Sequence, residues 1–131
     1  MYTRNVAFKR IGAPKAIGKV DDFLTVQVSL DGNPDWDWIE CFKHPSTWTH
    51  NEAYPSRATV IGDTITFTSS ESGIKANVEW MDKYIQQAND SYNRIMAERS
   101  AEEKGQQERA REIERKRKEE LDRINETLKD I

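Results

Sequence analysis

The most regular pattern in this chain is an alternation of apolar and polar residues with a period of two. It predicts a β-strand with one face on a core, and its apolar residues are Leu24, Val26, Val28 and Leu30. A weaker alternation, with Val6, Phe8 and Arg10 on one side, predicts an earlier strand. Two glycines and a proline in residues 12–18 predict a break between the two strands.

Three further strands are predicted before residue 70. The alternation in residues 36–43 predicts a third strand, with apolar groups on both faces. Residues 44–56, which include two prolines, are expected to form an irregular loop. Residues 57–61 and 64–69 flank Gly62-Asp63, a two-residue sequence that favours a tight hairpin turn.

From residue 71 the period of the apolar positions changes from two to alternating steps of four and three, which predicts a helix. The stripe consists of Ile74, Val78, Met81, Ile85, Ala88, Tyr92 and Ile95. It lapses after Ala97 and resumes as Ala110, Ile113, Leu121, Ile124, Leu128 and Ile131. Either one helix continues through Gly105, or the chain turns near residues 100–107. A glycine inside an exposed helix costs about 1 kcal/mol, which favours the turn.

These patterns together predict an α+β fold with two parts. Residues 1–70 would form an antiparallel β domain of about five strands. Residues 71–131 would form a helical oligomerisation region, with helices at about 72–99 and 107–130 or one continuous helix. The second stripe is too sparse to hold an isolated helix in water, so we expect a coiled-coil homodimer or small homo-oligomer. Its contacts would be Ile113, Leu121, Ile124 and Leu128.

Charge and cysteine content narrow the classes of partner and compartment. Charged residues make up 33% of the chain, but the signs are interleaved and the net charge is -3, so no field attracts nucleic acid or an anionic membrane. Cys41 is the single cysteine, which excludes an internal disulfide. No apolar run reaches the roughly 18 residues of a membrane span, and residues 1–10 contain no apolar signal core. A cytoplasmic location is therefore expected.

The candidates for chemistry are few. Metal-ligand residue types cluster in one stretch, as Cys41, His44, His50 and Glu52, but structural zinc sites usually pair two short ligand spacings. The acidic residues Asp35, Asp37 and Glu40 are better explained by turn and surface roles than by acid–base catalysis. We therefore expect no cofactor, no metal and no enzymatic activity, and keep a metal-dependent or thiol enzyme that uses Cys41, His44 and His50 as an alternative.

Aromatic residues concentrate in residues 36–54 and suggest either a core or an interaction surface. Trp36, Trp38, Trp48 and Tyr54 are the candidates for that surface, because tryptophan and tyrosine are enriched at binding hot spots. Arginines near aromatic planes suit a nucleotide or phosphate ligand, and Arg57, Arg109 and Arg111 are candidates for such a site. The basic run at residues 115–118 is flanked by glutamates that cancel its field.

A β core followed by charged C-terminal helices resembles the layout of the anti-Thoeris sponges, compact phage proteins that sequester a cyclic ADP-ribose-type signal. That resemblance implies a ligand site between sheet and helices, with Arg57, Trp80, Asn93, Arg109 and Arg111 as candidate contacts. The first expectation remains a non-enzymatic, helix-mediated oligomer that binds and inhibits another protein, in the manner of a viral accessory protein directed against bacterial defence. Sequestration of a nucleotide-like signal is the alternative.

Overall fold

The computed structural model describes residues 5–45 and 53–131. These residues form one antiparallel four-stranded sheet and two α-helices, so the predicted α+β class is confirmed. The strand order is β1-β2-β4-β3. In chain order the elements are β1 (Arg10–Val20), β2 (Phe23–Leu30), α1 (Trp36–Lys43), a short 3₁₀ turn (Pro55–Arg57), β3 (Thr59–Ile61), β4 (Thr64–Ser70) and α2 (Ile74–Leu128).

The strands with one strongly apolar face form where they were predicted, except that β3 begins at Thr59 instead of residue 57. In β2, Val26, Val28 and Leu30 are at most 1% exposed. The hairpin of β3 and β4 pairs Ile61 with Thr64 across the predicted two-residue turn. Gly62 has a φ of +59° there, which a residue without Cβ adopts at no steric cost.

The first strand lies later in the chain than predicted. Strand β1 runs through the segment that was expected to be a break, and its register against β2 shifts twice, between Ile11 and Lys15 and between Ala16 and Gly18. These irregularities accommodate the glycines and Pro14 without ending the strand, because a bulge leaves residues unpaired. The turn is instead Asp21-Asp22, where Asp21 has a φ of +55°.

The predicted third strand is wrong, because residues 36–43 form the helix α1. Asp35 caps this helix by accepting a hydrogen bond from the Trp38 N–H at 2.9 Å. The fully buried residues of α1 are Trp38 and Phe42, which are four positions apart and therefore share one helical face. Their rings stack with centroids 5.4 Å apart. Four strands are thus described instead of about five.

The favoured turn near residues 100–107 is also wrong, because α2 is continuous from Ile74 to Leu128 and passes through Gly105. The cost of one glycine is small against the many helical hydrogen bonds on both sides of it. Residues up to Ile95 belong to a compact unit with the sheet, and Met96–Ile131 form a second unit. The predicted division into residues 1–70 and 71–131 stays a prediction.

The core of the compact unit joins the sheet to α1 and the first part of α2. The stripe that predicted the helix is buried at its centre, at Met81, Ile85, Ala88 and Tyr92. Ser69, at the end of β4, is also buried and accepts a hydrogen bond from Asn77 Nδ2 at 2.8 Å. Asn77 and Asn89 are buried polar residues beside this apolar stripe.

Candidate functional site

An extended segment precedes β1 and lies along α2. We call residues 6–8 the strap. Val6 and Phe8 are partly buried and Ala7 is exposed, as the predicted alternation requires. The strap nevertheless belongs to no strand, because its hydrogen-bond partners are side chains of α2 rather than a neighbouring backbone. Regular pairing begins only at Arg10.

Two asparagines of α2 bind the main chain of the strap. Asn89 accepts from the Phe8 N–H at 3.2 Å and donates to the Phe8 carbonyl at 2.7 Å. Asn93 accepts from the Val6 N–H at 2.8 Å and donates to the Val6 carbonyl at 2.9 Å. Each amide therefore satisfies both polar groups of one residue, much as a neighbouring strand would.

The spacing of the two asparagines explains why they meet alternate residues of the strap. Residues four apart lie on the same face of a helix and about 6.0 Å apart along its axis. Residues two apart in an extended chain are separated by about 6.6–6.8 Å. The pairs Val6–Asn93 and Phe8–Asn89 thus match one helical step to one β repeat, and the strap runs antiparallel to α2.

The side chain of Phe8 lies in an aromatic socket. Its ring meets the Trp38 ring edge-on, with centroids 5.5 Å apart and planes at 85°. The indole N–H of Trp38 donates to Asn89 Oδ1 at 2.9 Å, so the same amide holds both the socket and the strap. On another side a Cβ at Gly32 would lie 2.7 Å from the Phe8 ring. The absence of a side chain at Gly32 therefore makes room for the aromatic ring.

Polar contacts hold the two residues that follow the strap. Arg10 makes a two-pronged ion pair with Asp82, at 2.8 and 3.0 Å, and this carboxylate raises the pKa of Arg10 above its usual value. The Lys9 N–H donates to Asp31 Oδ1 at 3.0 Å. An open cleft of about 230 Å³ borders the strap, lined by Phe8, Lys9, Arg10, Asp82, Ile85 and Gln86.

Several residues predicted from the sequence meet at this site. Trp38 and Asn93 take part directly. Asp35, besides capping α1, accepts a hydrogen bond from the Tyr92 hydroxyl at 2.7 Å. Asn89, the central residue, was missed. The available signal was an amide four positions before Asn93 and next to the apolar stripe, where a buried polar group requires partners.

Other predicted contacts lie elsewhere in the described residues. Arg57 lies over the Tyr54 ring, 5.7 Å from its centroid, and Lys83 lies over the Trp80 ring at 4.3 Å. Trp80 and Asn93 are thirteen helical residues apart, about 20 Å along the axis, so one small ligand does not reach both. Arg109 and Arg111 are exposed residues of the second unit. The nucleotide site stays a prediction.

The metal and thiol candidates are only partly described. Glu40 of α1 and His44, the residue that follows this helix, form a pair at 3.5 Å, and Cys41 is half-buried. Trp48, His50 and Glu52 lie outside the described residues. Within residues 5–45 and 53–131, no three His, Cys, Asp or Glu side chains cluster as metal ligands would. Asp37 and Trp36 are on the first turn of α1, where Trp36 is 71% exposed.

Comparisons with family models, curated proteins and solved structures found no match to this chain. No helix among the described residues contains a stretch long and apolar enough to cross a membrane. Any statement about function therefore depends on the geometry of the chain itself.

Proposed function

We propose that this chain is a non-enzymatic binding protein that self-associates through the C-terminal part of α2. The observation that supports the proposal is an apolar stripe on an otherwise charged and fully solvated helix. Residues 106–131 are all exposed, yet four large apolar side chains among them are 43–59% exposed and share one side. These are Ile113, Leu121, Ile124 and Leu128.

The positions of these residues favour a helix–helix seam. At 100° per residue, Ile113 and Ile124 project within about 20° of each other, and the stripe spans about 80°. From Leu121 to Leu128 the steps are three and four, the spacing of a coiled-coil seam. A narrow stripe of this kind is typical of a helix that packs against another helix rather than against a sheet.

Charge makes a second copy a suitable partner. Residues 96–131 contain 10 Lys/Arg and 11 Asp/Glu. The positive and negative charges of one copy therefore nearly cancel, and net charge does not drive two copies apart. Arg115 already pairs with Glu112 and Glu119 on its own helix, which shows that the charges are locally balanced. Identical helices also present identical stripes, which is the requirement for a self-complementary interface.

The sheet is a poorer route to association. Its long outer strand, β1, has Pro14, two register shifts and the side chains of Lys15 and Lys19 along it. Proline, bulges and lysines are the features by which natural edge strands avoid pairing with another chain. Self-association through the helix is therefore favoured over addition of a strand.

Analytical ultracentrifugation of the full chain tests the proposal. We expect a dimer or small oligomer at concentrations of tens of micromolar, and a monomer for Ile124→Glu, because the carboxylate would be buried in the seam. Val20→Glu is the control, since it adds the same charge at an apolar residue that is 73% exposed in the turn region of the sheet. A monomeric parent chain, or an Ile124→Glu chain with unchanged mass, would refute self-association. The use of such a protein as an inhibitor of bacterial defence stays a prediction.

A further inference from the structure

The strap site has the parts of a receptor for a short extended peptide. We propose that the groove formed by Asn89, Asn93, Trp38 and Gly32 binds an extended segment of a partner protein, with an aliphatic residue two positions before an aromatic one. The strap occupies this groove in cis and competes with the partner. The inference names the partner class of the binding protein proposed above and rests on that binding role, but it does not require self-association.

The groove recognises main chain. Four hydrogen bonds join the Asn89 and Asn93 side chains to backbone N–H and carbonyl groups of the strap, at 2.7–3.2 Å. Any residue other than proline offers the same two groups. The side chain of Ala7 points to solvent. The bonds therefore select an extended backbone and are indifferent to the identity of the middle residue, as in other modes of strand recognition.

Side-chain selectivity comes from the aromatic socket. The Phe8 ring fills the space between Trp38 and Gly32, where a Cβ on the glycine would overlap it. A planar ring suits the edge-on contact with the Trp38 indole. Val6, one β repeat earlier, is partly buried beside Asn93. The strap thus shows which sequence pattern the groove accepts: an aliphatic residue, then any residue, then an aromatic residue.

The strap is separable from the fold that holds it. The four-stranded sheet is complete without residues 6–8, and β1 begins at Arg10, where the ion pair with Asp82 anchors the chain. Departure of the strap would leave the Asn89 amide, 2% exposed, without its main-chain partners. Because water would then also reach the aromatic socket beside Trp38, burial of apolar surface favours filling of the groove by one extended segment or another.

Competition from the strap determines in which variant the binding of an added peptide is easiest to measure. A tethered segment has an effective concentration of the order of millimolar, so a free peptide of equal intrinsic affinity binds the unmodified chain weakly. Replacement of Phe8 by alanine removes the ring from the socket while leaving the rest of the groove in place. We therefore expect the Phe8→Ala chain to bind an added peptide at least about tenfold more tightly than the unmodified chain.

The test uses a fluorescein-labelled peptide with the sequence of residues 5–10 and fluorescence anisotropy with the full-length chain. In the Phe8→Ala background, Asn93→Asp should weaken binding by about tenfold or more, because a carboxylate cannot donate to the peptide carbonyl. The matched control is Asn125→Asp, the same change at an exposed position of α2, which should leave affinity within about twofold. Circular dichroism verifies that each variant is folded.

Modified peptides test main-chain recognition without relying on a variant. On the unmodified chain at high peptide concentration, N-methylation at the phenylalanine should abolish binding, because it removes the N–H that donates to Asn89 Oδ1. N-methylation at the alanine, whose N–H takes no part in these four bonds, should have a much smaller effect. Equal binding of the two methylated peptides, or no binding to a folded Phe8→Ala chain, would overturn the proposal.

The two proposals fail separately. The monomeric Ile124→Glu chain, combined with Phe8→Ala, should bind the peptide as tightly as Phe8→Ala alone. Peptide binding that requires the oligomer would instead assign the site to a contact between copies and overturn the groove, while leaving self-association intact. A monomeric parent chain that still binds the peptide would refute self-association and support the groove.

Discussion

Replacement of Asn89 by alanine is the sharpest test of how the compact unit is held together. One buried amide accepts hydrogen bonds from Phe8 N–H and Trp38 Nε1–H and donates one to the Phe8 carbonyl. The side chain therefore links three parts of the chain, namely the strap, α1 and α2. Replacement of this side chain should therefore weaken the attachment of all three parts to one another.

The expected magnitude follows from the partners that alanine would leave. The Trp38 side chain is fully buried, and its unpaired indole N–H should cost about 1–3 kcal/mol. The two hydrogen bonds with Phe8 are partly buried and contribute about 1 kcal/mol each. The sum is a loss of about 3–5 kcal/mol in the free energy of unfolding, against a total of roughly 5–15 kcal/mol for a typical domain.

Urea unfolding followed by tryptophan fluorescence measures this loss, because Trp38 is part of the network. Asn125→Ala is the matched control, since Asn125 is exposed on the same helix and alanine has the higher helix propensity. We expect the control to change stability by less than about 0.7 kcal/mol, in the stabilising direction. A loss below about 1 kcal/mol for Asn89→Ala, where each intact bond alone contributes about that much, would show that the amide is dispensable.

Three further predictions concern other positions. Gly105→Ala should stabilise α2 by about 1 kcal/mol, seen as a higher melting temperature at 222 nm, because a Cβ there meets Arg109 at an ordinary 3.5 Å; an unchanged melting temperature would contradict it. Gly32→Ala should cost about 1–3 kcal/mol in urea unfolding, because the added Cβ overlaps the Phe8 ring, and a neutral result would mean that the socket is loose. Arg115 lowers the pKa of Glu112, so the helix gains stability above the usual glutamate pKa and loses it as pH falls through the lowered value. Helicity at 222 nm should decline in that acidic range, and less so in Glu112→Gln; equal declines would exclude this pair as a cause.

The sequence predicted best those segments that bury one face. The alternation in β2, the hairpin around Gly62-Asp63 and the stripe of α2 each have one apolar side, which leaves a single compatible structure. Residues 36–43 have apolar side chains on both faces of the predicted strand. Their pattern is therefore compatible with a helix, with its period of 3.6, as well as with a strand, with its period of two. The capping residue Asp35 and the buried pair Trp38 and Phe42, four apart, were the better indicators.

The strap shows a different limit of sequence reasoning. Its alternation was predicted correctly, because an extended chain has the same period whatever binds it. Its partners could not be predicted, since the amides that pair with it are more than eighty residues away in the sequence. Similarly, continuity of α2 through Gly105 depends on a balance of about 1 kcal/mol, which a local pattern cannot resolve.

The two asparagines match the repeat of α2 to the repeat of an extended chain, but only over a short distance. Each helical step of four residues falls about 0.6–0.8 Å short of two strand residues, so the error grows with every added pair. Two pairs stay within the tolerance of a hydrogen bond, but a longer series would not. At the next repeat the helix presents Ile85 instead of an amide, and Arg10 reaches past it to Asp82. A groove with this spacing measures a length as well as a pattern, because its two amides pair with alternate residues of a three-residue segment and a longer strand meets no further amide of this series.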